Sequence, residues 1–203
     1  KYKMKHKEET DIQLGWEKGD AIVSGKIWGY IPNTLEWTVM YSNPITGKDN
    51  TIPLEIGANG SFSAKIPIYS PTNLYITSKA AYIPIKVAPG KESSILINLP
   101  ELYREGSRLL KEQGPYGKKY HYGGYLARLN NDLANENIMR VVQMDYTDSI
   151  SDMDANEYIA FLNGKYNESV THNDALDISP LAKKIINTPE AFLLGNSIEY
   201  ADD

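Results

Sequence analysis

Residues 59–66, NGSFSAKI, decide the fold class of this chain. Asparagine and glycine both tolerate the positive φ angles that a tight turn requires, so Asn59-Gly60 predicts a reversal of the chain. From Ser61 onward polar and apolar residues alternate, and a period of two is typical of a strand with one buried face. The stretch therefore predicts a hairpin whose second strand begins at Ser61.

Short runs rich in β-branched and aromatic residues lie on both sides of this turn. Turn residues separate these runs, as in Thr46-Gly47 and Pro89-Gly90. Together the runs predict seven strands, at residues 21–28, 35–41, 51–56, 61–68, 73–77, 80–87 and 93–99. Short strands at this spacing predict an antiparallel β-sandwich.

The sequence after Pro100 has the period of helices. Ser179-Pro180 and Thr188-Pro189 each place a capping hydroxyl before a proline, which predicts two helix starts. Two sets of apolar residues recur at helical spacing: Tyr122, Leu126, Leu129 and Leu133, and Tyr158, Ile159, Leu162 and Tyr166. We therefore predict an α+β fold, with an N-terminal antiparallel β-sandwich of about seven strands followed by an α-helical segment.

The predicted organisation has three parts. Residues 1–19 form an N-terminal tail, residues 20–100 the β-sandwich domain, and residues 101–203 a helical domain. The lysine-rich start of the tail is interpreted as a solvated terminus. No serine- and glycine-rich linker separates the two domains, so we expect them to pack together.

Composition argues against several function classes. The chain has 203 residues, a formal net charge of -5 and no cysteine. A negative net charge argues against nucleic-acid binding, which needs a basic surface to displace counterions from phosphates. A chain without cysteine holds no disulfide, no thiolate nucleophile and no CxxC redox pair. No apolar run reaches the roughly 18–20 residues needed to span a bilayer, so no transmembrane helix is predicted.

Acidic residues near position 150 raise two hypotheses about chemistry. The D-x-D-x-N pattern at residues 152–156 opens like a calcium loop, but Glu157 and Asn163 stand where that loop needs glycine and glutamate. The alternative is a helix start capped by Ser151, with acidic residues in the first turn. Paired carboxylates for glycoside hydrolysis are the second hypothesis, and a solvated acidic loop is its alternative. The carboxylates concerned are Asp145, Asp148, Asp152 and Asp154.

The histidines of the chain support no catalytic motif. His6, His121 and His172 are scattered, and no metal-binding, nucleophile or phosphate-loop motif surrounds them. We therefore predict no catalytic residue, no metal and no cofactor, and we predict that this segment is not an enzyme.

Aromatic residues in or near the strands raise the hypothesis of carbohydrate binding. Sandwiches that bind sugars stack a sugar ring on exposed aromatic side chains. The alternative is that Trp28, Trp37 and Tyr41 alternate into the core. The whole group is Trp16, Trp28, Trp37, Tyr41, Tyr69, Tyr75 and Tyr82.

Residues 114–125, GPYGKKYHYGGY, have the composition of a binding loop. Their glycines give the chain freedom to turn. Since Tyr122 falls on the first helical stripe, we predict that it packs in the interior. The stretch is then the joint between the sandwich and the helices. The candidate ligand contacts are His121, Tyr116 and Tyr120 in this stretch, and Trp28 and Trp37 in the strands.

Several short motifs succeed one another between residues 22 and 133. They are GKI at 25–27, NPITG at 43–47, NGSF at 59–62, APG at 88–90, ILINL at 95–99 and YGGYLARLNNDL at 122–133. In this order they resemble the N-terminal region of the TlpA/ResA-like thiol-disulfide oxidoreductases of Gram-negative gut anaerobes.

The resemblance implies a non-catalytic accessory module, acting as a scaffold or in recognition. Activity in that family lies in a downstream thioredoxin domain with a CxxC pair, so no catalytic residue carries over to this chain. The implied location is the cell envelope, in the periplasm or anchored at the outer membrane as a lipoprotein through a cysteine upstream of Lys1. The expected partners are a downstream thioredoxin domain in the same chain, and a protein client or a second copy in a homodimer. The alternative function is a carbohydrate- or peptide-binding domain of an envelope lipoprotein.

Overall fold

The computed structural model describes residues 17–43, 45–107, 109–110, 117–140 and 153–199. Within these residues the chain forms eight β-strands and four α-helices. Contacts divide the chain into two compact units, Lys1–Asn131 and Asp132–Asp203. The predicted α+β class, with a β-sandwich and a helical segment, is confirmed. Residues 1–16 of the predicted tail lie outside the described residues.

All seven predicted strands form, and an eighth comes after them. The strands are β1 Gly19–Trp28, β2 Thr38–Ser42, β3 Asp49–Pro53, β4 Ser61–Ile68, β5 Thr72–Ser78, β6 Ala81–Val87, β7 Glu92–Asn98 and β8 Tyr120–Gly124. The helices are α1 Leu99–Gly106, α2 Ala127–Leu133, α3 Ala155–Ala175 and α4 Pro180–Glu199.

The strands form two four-stranded sheets. Sheet A has the order β4-β1-β7-β8, and sheet B has the order β3-β2-β5-β6. Neighbouring strands are antiparallel except β1 and β7, which run parallel. The sandwich is therefore mostly rather than wholly antiparallel. A parallel pair needs a long connection, and the chain between β1 and β7 supplies it by passing through sheet B.

The interior of the sandwich is filled by the alternate residues of its strands. In β1 these are Ala21, Val23 and Ile27, all essentially inaccessible to solvent. Gly25 lies in the same alternation, and a Cβ atom there would stand 2.6 Å from Cζ of Phe62 and 2.3 Å from the carbonyl oxygen of Ile95. The Phe62 ring therefore occupies the space that a side chain at position 25 would need.

The turn at Asn59-Gly60 forms, but it does not join two paired strands. Gly60 has a φ of 80°, and the side-chain oxygen of Asn59 accepts a hydrogen bond from the Ser61 amide at 3.0 Å. The strand before the turn lies in sheet B and the strand after it in sheet A, with an isolated bridge between Ile56 and Phe62. The predicted hairpin was wrong because the turn carries the chain from one sheet to the other.

Strand β8 corrects the prediction of a helix through Tyr122. Tyr122 is 1% exposed, so the prediction that it packs is confirmed. It packs, however, from a strand, where it pairs with Ile95 of β7. Leu126 has a φ of 61° and precedes α2 rather than lying within it. Strand β8 lies at the edge of sheet A and within the first compact unit, which ends at Asn131.

Two helix starts show how capping residues act in this chain. Asp154 is the N-cap of α3, and it forms a capping box with Glu157, whereas the predicted cap Ser151 lies outside the described residues. Ser179 caps α4, whose Ala182 amide donates to the Ser179 hydroxyl, as predicted. The second predicted start was wrong, because Pro189 lies inside α4. Proline inside a helix removes one main-chain hydrogen bond, and α4 continues through Pro189 to Glu199.

The unit Asp132–Asp203 contains a buried polar cluster. Asn173 is fully buried, its side-chain oxygen accepts from the Met139 amide, and its side-chain nitrogen donates to the Met139 carbonyl, both at 2.9 Å. The Ser169 hydroxyl donates to the same carbonyl at 3.0 Å. Met139 lies outside the helices and strands, so its main-chain amide and carbonyl need other partners, and these two polar side chains of α3 supply them.

Candidate functional site

The outward side of sheet B carries an exposed aromatic surface. Strand alternation directs Leu74, Ile76, Ile83 and Ile85 into the core, so the residues between them face solvent. We call the uncharged part of this surface the tyrosine face. It consists of Pro53, Thr51, Thr38, Met40, Thr77, Tyr75, Tyr82 and Pro84, which lie side by side on the four strands.

The centre of the tyrosine face is a stacked pair of rings. Tyr75 and Tyr82 have ring centroids 4.6 Å apart and an interplanar angle of 23°. The register explains the contact: Tyr82 is opposite Thr77, so it lies diagonally from Tyr75 on the neighbouring strand. Tyr82 is 65% exposed. Desolvation, and then the neighbouring Tyr75 phenol, raises the pKa of Tyr82 above its ordinary value.

Two rows of side chains surround these rings. Met40, Tyr75 and Pro84 are aligned across β2, β5 and β6, and Met40 and Pro84 are exposed. In the adjacent row the hydroxyls of Thr38 and Thr77 form a hydrogen bond of 2.8 Å. The surface therefore combines aromatic and apolar groups with hydroxyls and contains no charge.

Charged side chains form one border of the tyrosine face, and they are paired with neighbours. The Lys86 ammonium donates to the Asn73 side-chain oxygen, and the Ser42 hydroxyl donates to the Asp49 carboxylate. Burial lowers the pKa of Lys86 below its ordinary value. The charged groups of Lys86 and Asp49 at this border are therefore hydrogen-bonded to neighbouring side chains.

The edges of sheet B are poor templates for an added strand. Its edge strands β3 and β6 contain Pro53 and Pro84, and proline has no amide hydrogen to donate. On β6 the Lys86 amide donates to Asn130 Oδ1 at 2.7 Å, and Asn130 Nδ2 donates to the Lys86 carbonyl at 2.9 Å. The open face is therefore a better candidate than an edge for a binding surface of this sheet.

The two predicted tryptophan contacts have different environments. Trp37 is 2% exposed, so it belongs to the core, as the alternative interpretation expected. Trp28 is 58% exposed, which contradicts that interpretation for this residue. It ends β1 on the outward side of sheet A, whereas Tyr41 on β2 is buried.

The predicted contacts near position 120 are divided between the two sides of β8. His121 pairs with Leu96 on the outward side of sheet A, the side that also carries Trp28. Tyr120 is the preceding strand residue and faces inward, with its ring 5.6 Å from that of Tyr122 in an edge-to-face contact. Tyr116 lies outside the described residues. The structure therefore brings Trp28 and His121 onto one surface, and ligand contact by these residues stays a prediction.

The acidic residues near position 150 are only partly described. The Asp154 carboxylate accepts from the Glu157 amide at 2.9 Å, which is the bond of a helix cap. Asp145, Asp148 and Asp152 lie outside the described residues. Across the part of the chain that the structure describes, no three His, Asp or Glu side chains cluster as metal ligands would. No helix in that same part is both long and apolar enough to cross a membrane.

Tyr75 and Tyr82 belong to the aromatic group recognised in the sequence, yet they were not among the predicted contacts. Strand alternation is the signal that separates them from the buried aromatics. Tyr75 stands between Leu74 and Ile76, both fully buried, so it must face the other way. Their mutual contact could not be read from sequence, because it depends on the β5–β6 register.

Comparison with known proteins does not assign a family. No family model matches this chain, and no curated protein matches it. One solved structure that matches is a "putative cell adhesion protein" from Bacteroides ovatus ATCC 8483, with a TM-score of 0.26 and 12% identity. The match covers 40% of this chain and 40% of that chain. Similarity at this level carries no argument about fold or function.

Proposed function

We propose that this chain is a non-catalytic recognition module of a cell-envelope protein of the thioredoxin-like family, and that the tyrosine face is its binding surface. The observation that carries the binding role is the exposed Tyr75–Tyr82 stack, with Tyr82 65% exposed. Aromatic side chains are enriched where proteins recognise partners, because they bring a large contact area at a small entropic cost.

The family assignment rests on the order of the sequence motifs. The stretch that resembles the TlpA/ResA-like proteins ends at residue 133, close to the end of the first compact unit at Asn131. Because the chain has no cysteine, thiol-disulfide exchange would belong to a thioredoxin domain downstream. The cell-envelope location is part of the same proposal.

A second candidate function is ligand binding by an envelope lipoprotein that has no redox domain. The same stacked tyrosines favour it, since an exposed aromatic ring serves a carbohydrate or a peptide as well as a protein client. The two candidates differ in the reading frame beyond Asp203. A CxxC pair downstream supports the first candidate, and a stop codon directly after Asp203 contradicts it.

The binding role is tested in the full-length protein by comparing two reactions. Reduction of a small disulfide requires only the redox chemistry, whereas reduction of a protein client also requires recognition. We expect Tyr82→Ala to leave reduction of a small aromatic disulfide unchanged and to slow reduction of a protein client about fivefold or more. Tyr103→Ala is the matched control, because Tyr103 is an exposed tyrosine on α1, outside the tyrosine face. Equal client reduction by both variants would contradict a recognition role for the tyrosine face.

A further inference from the structure

The Tyr82 ring has one open face. Tyr75 covers the other face at a centroid distance of 4.6 Å, yet Tyr82 remains 65% exposed. With one face stacked, exposure of this size leaves the opposite face to solvent. Tyr75 also fixes the orientation of the ring, so a ligand that stacks on Tyr82 loses little side-chain entropy.

The charge pattern of the tyrosine face selects a neutral ligand. The two rows that carry Tyr75 and Tyr82 contain no charged residue on any of the four strands. At the border, Lys86 and Asp49 already have partners in Asn73 and Ser42. A charged ligand stacked on the rings would lose hydration, and no charged side chain lies in the rows that carry them.

Hydroxyl groups beside the ring distinguish a sugar from an apolar peptide. Thr77 lies in the same row as Tyr82, and its hydroxyl is bonded to that of Thr38 at 2.8 Å. In such a pair one hydroxyl retains its hydrogen, and both retain acceptor lone pairs, so they suit the hydroxyls of a sugar. Prolines in both edge strands disfavour the main-chain pairing by which a peptide adds to a sheet.

We propose that the tyrosine face binds a neutral carbohydrate, with one pyranose ring stacked on the open face of Tyr82 and its hydroxyls bonded by Thr38 and Thr77. The apolar C–H face of the sugar meets the ring, and the polar rim of the sugar meets the hydroxyls. This inference rests on the proposed recognition role and names the ligand class of the same surface.

The test is a calorimetric titration of the 203-residue chain with neutral oligosaccharides. The probes are maltohexaose, cellohexaose, xylohexaose and mannohexaose, with tetragalacturonate as the charged comparison. Concentrations reach about 10 mM, because a single stacking site supports affinities in the millimolar range. We expect at least one neutral probe to bind more tightly than tetragalacturonate.

Three variants separate ring stacking from general effects. We expect Tyr82→Ala to weaken saccharide binding about tenfold, Tyr82→Phe to retain most of it, and Tyr103→Ala to match the wild type. Thr77→Val keeps the shape of the side chain and removes one hydroxyl, so it should weaken binding severalfold. Amide NMR spectra of each variant establish that the fold is retained.

Two results would overturn the carbohydrate proposal: no neutral probe binds, or binding is the same in Tyr82→Ala. If in addition Tyr82→Ala slows client reduction, the surface recognises a protein, and the recognition role itself survives. If Tyr82→Ala affects neither saccharide binding nor client reduction, both proposals fail.

Discussion

Asn130 pairs with the main chain of Lys86 through both atoms of its side-chain amide, at 2.7 Å to the amide nitrogen and 2.9 Å to the carbonyl oxygen. The next residue, Asn131, forms the same pair with Tyr122, at 3.1 Å and 2.9 Å. Lys86 belongs to the edge strand β6 of sheet B and Tyr122 to the edge strand β8 of sheet A. Two consecutive asparagines of α2 therefore close one edge of each sheet.

The asparagine side chain suits this task because it presents one donor and one acceptor, as a peptide group does. It can therefore occupy the place of a neighbouring strand, which aspartate and alanine cannot. Asn173 holds Met139 in the same way in the second unit. Edge strands present unpaired main-chain groups, and the two asparagines satisfy those of Lys86 and Tyr122.

The first prediction concerns hydrogen exchange of the two edge amides. In Asn130→Ala we expect the Lys86 amide to exchange at least about tenfold faster, with Tyr122 little changed, because each amide loses its own partner only. In Asn131→Ala the pattern should be reversed. Amide exchange measured by NMR checks both variants, and equal acceleration at both sites would show that α2 acts as a whole rather than through the separate pairs.

The second prediction concerns stability at the buried asparagine of the second unit. Asn173→Ala should lower the free energy of unfolding by about 2–3 kcal/mol, because the side chain loses its hydrogen bonds to Met139 and Ser169 and the Met139 amide is left without its acceptor. Asn167→Ala is the control: Asn167 is exposed on the same helix, and we expect a change within about 0.5 kcal/mol. Urea denaturation measures both, and equal effects would contradict the assignment.

The third prediction compares two glycines. Gly25→Ala should destabilise the protein by about 1–3 kcal/mol, because its Cβ would overlap the Phe62 ring and the Ile95 carbonyl. Gly164→Ala should stabilise it by about 0.5–1 kcal/mol, because Gly164 lies within α3 with open space around it. Thermal melts of the two variants should therefore shift in opposite directions.

The fourth prediction concerns the alkaline range. Burial, and then Tyr120, raises the pKa of Tyr122, whose hydroxyl donates to the Pro84 carbonyl. Above about pH 10 the unfolded tyrosine loses its proton while the folded one keeps it, so stability falls with rising pH by up to about 1.4 kcal/mol per unit. Lys86, whose pKa is lowered, changes stability in the opposite direction, and it does so both in the wild type and in the Tyr122→Phe variant.

Tyr122→Phe removes that titration together with one hydrogen bond. We expect the variant to be about 1 kcal/mol less stable than the wild type at pH 7, and the difference to shrink above pH 10. Urea denaturation at pH 7, 10 and 11 checks this, and a difference that stays constant would show that the Tyr122 hydroxyl does not couple to folding.

Much of the sandwich was predictable because strand formation depends on local patterning. The runs around Ser61 and Leu74 alternate with a period of two, and both strands form with their apolar residues facing inward. Strand β8 was not predictable in this way, because its two glycines and its tyrosines carry no alternation signal. It forms because β7 has an unpaired edge, which is a property of the folded sheet.

The candidate site likewise combines features that local sequence patterns predict with features that depend on the folded sheet. Alternation with their buried neighbours places Tyr75 and Tyr82 on the outer face of sheet B, whereas the interpretation that Trp28 alternates into the core was wrong. Trp37 continues the alternation of Val39 and Tyr41, and all three side chains are buried. The stack between Tyr75 and Tyr82 depends on how two separate strands are aligned.

The sequence by itself determined the first seven strands and the helix start at Ser179, because hydrophobic period, capping residues and turn residues act over a few positions. It also determined that this chain holds no thiol chemistry, since it contains no cysteine. Only the tertiary structure decided that the turn at Gly60 changes sheets, that Asn130 and Asn131 close two edges, and that Tyr82 keeps one open ring face. Each of these depends on pairing between residues far apart in the chain, where sheet register and packing, rather than local preference, determine the neighbours.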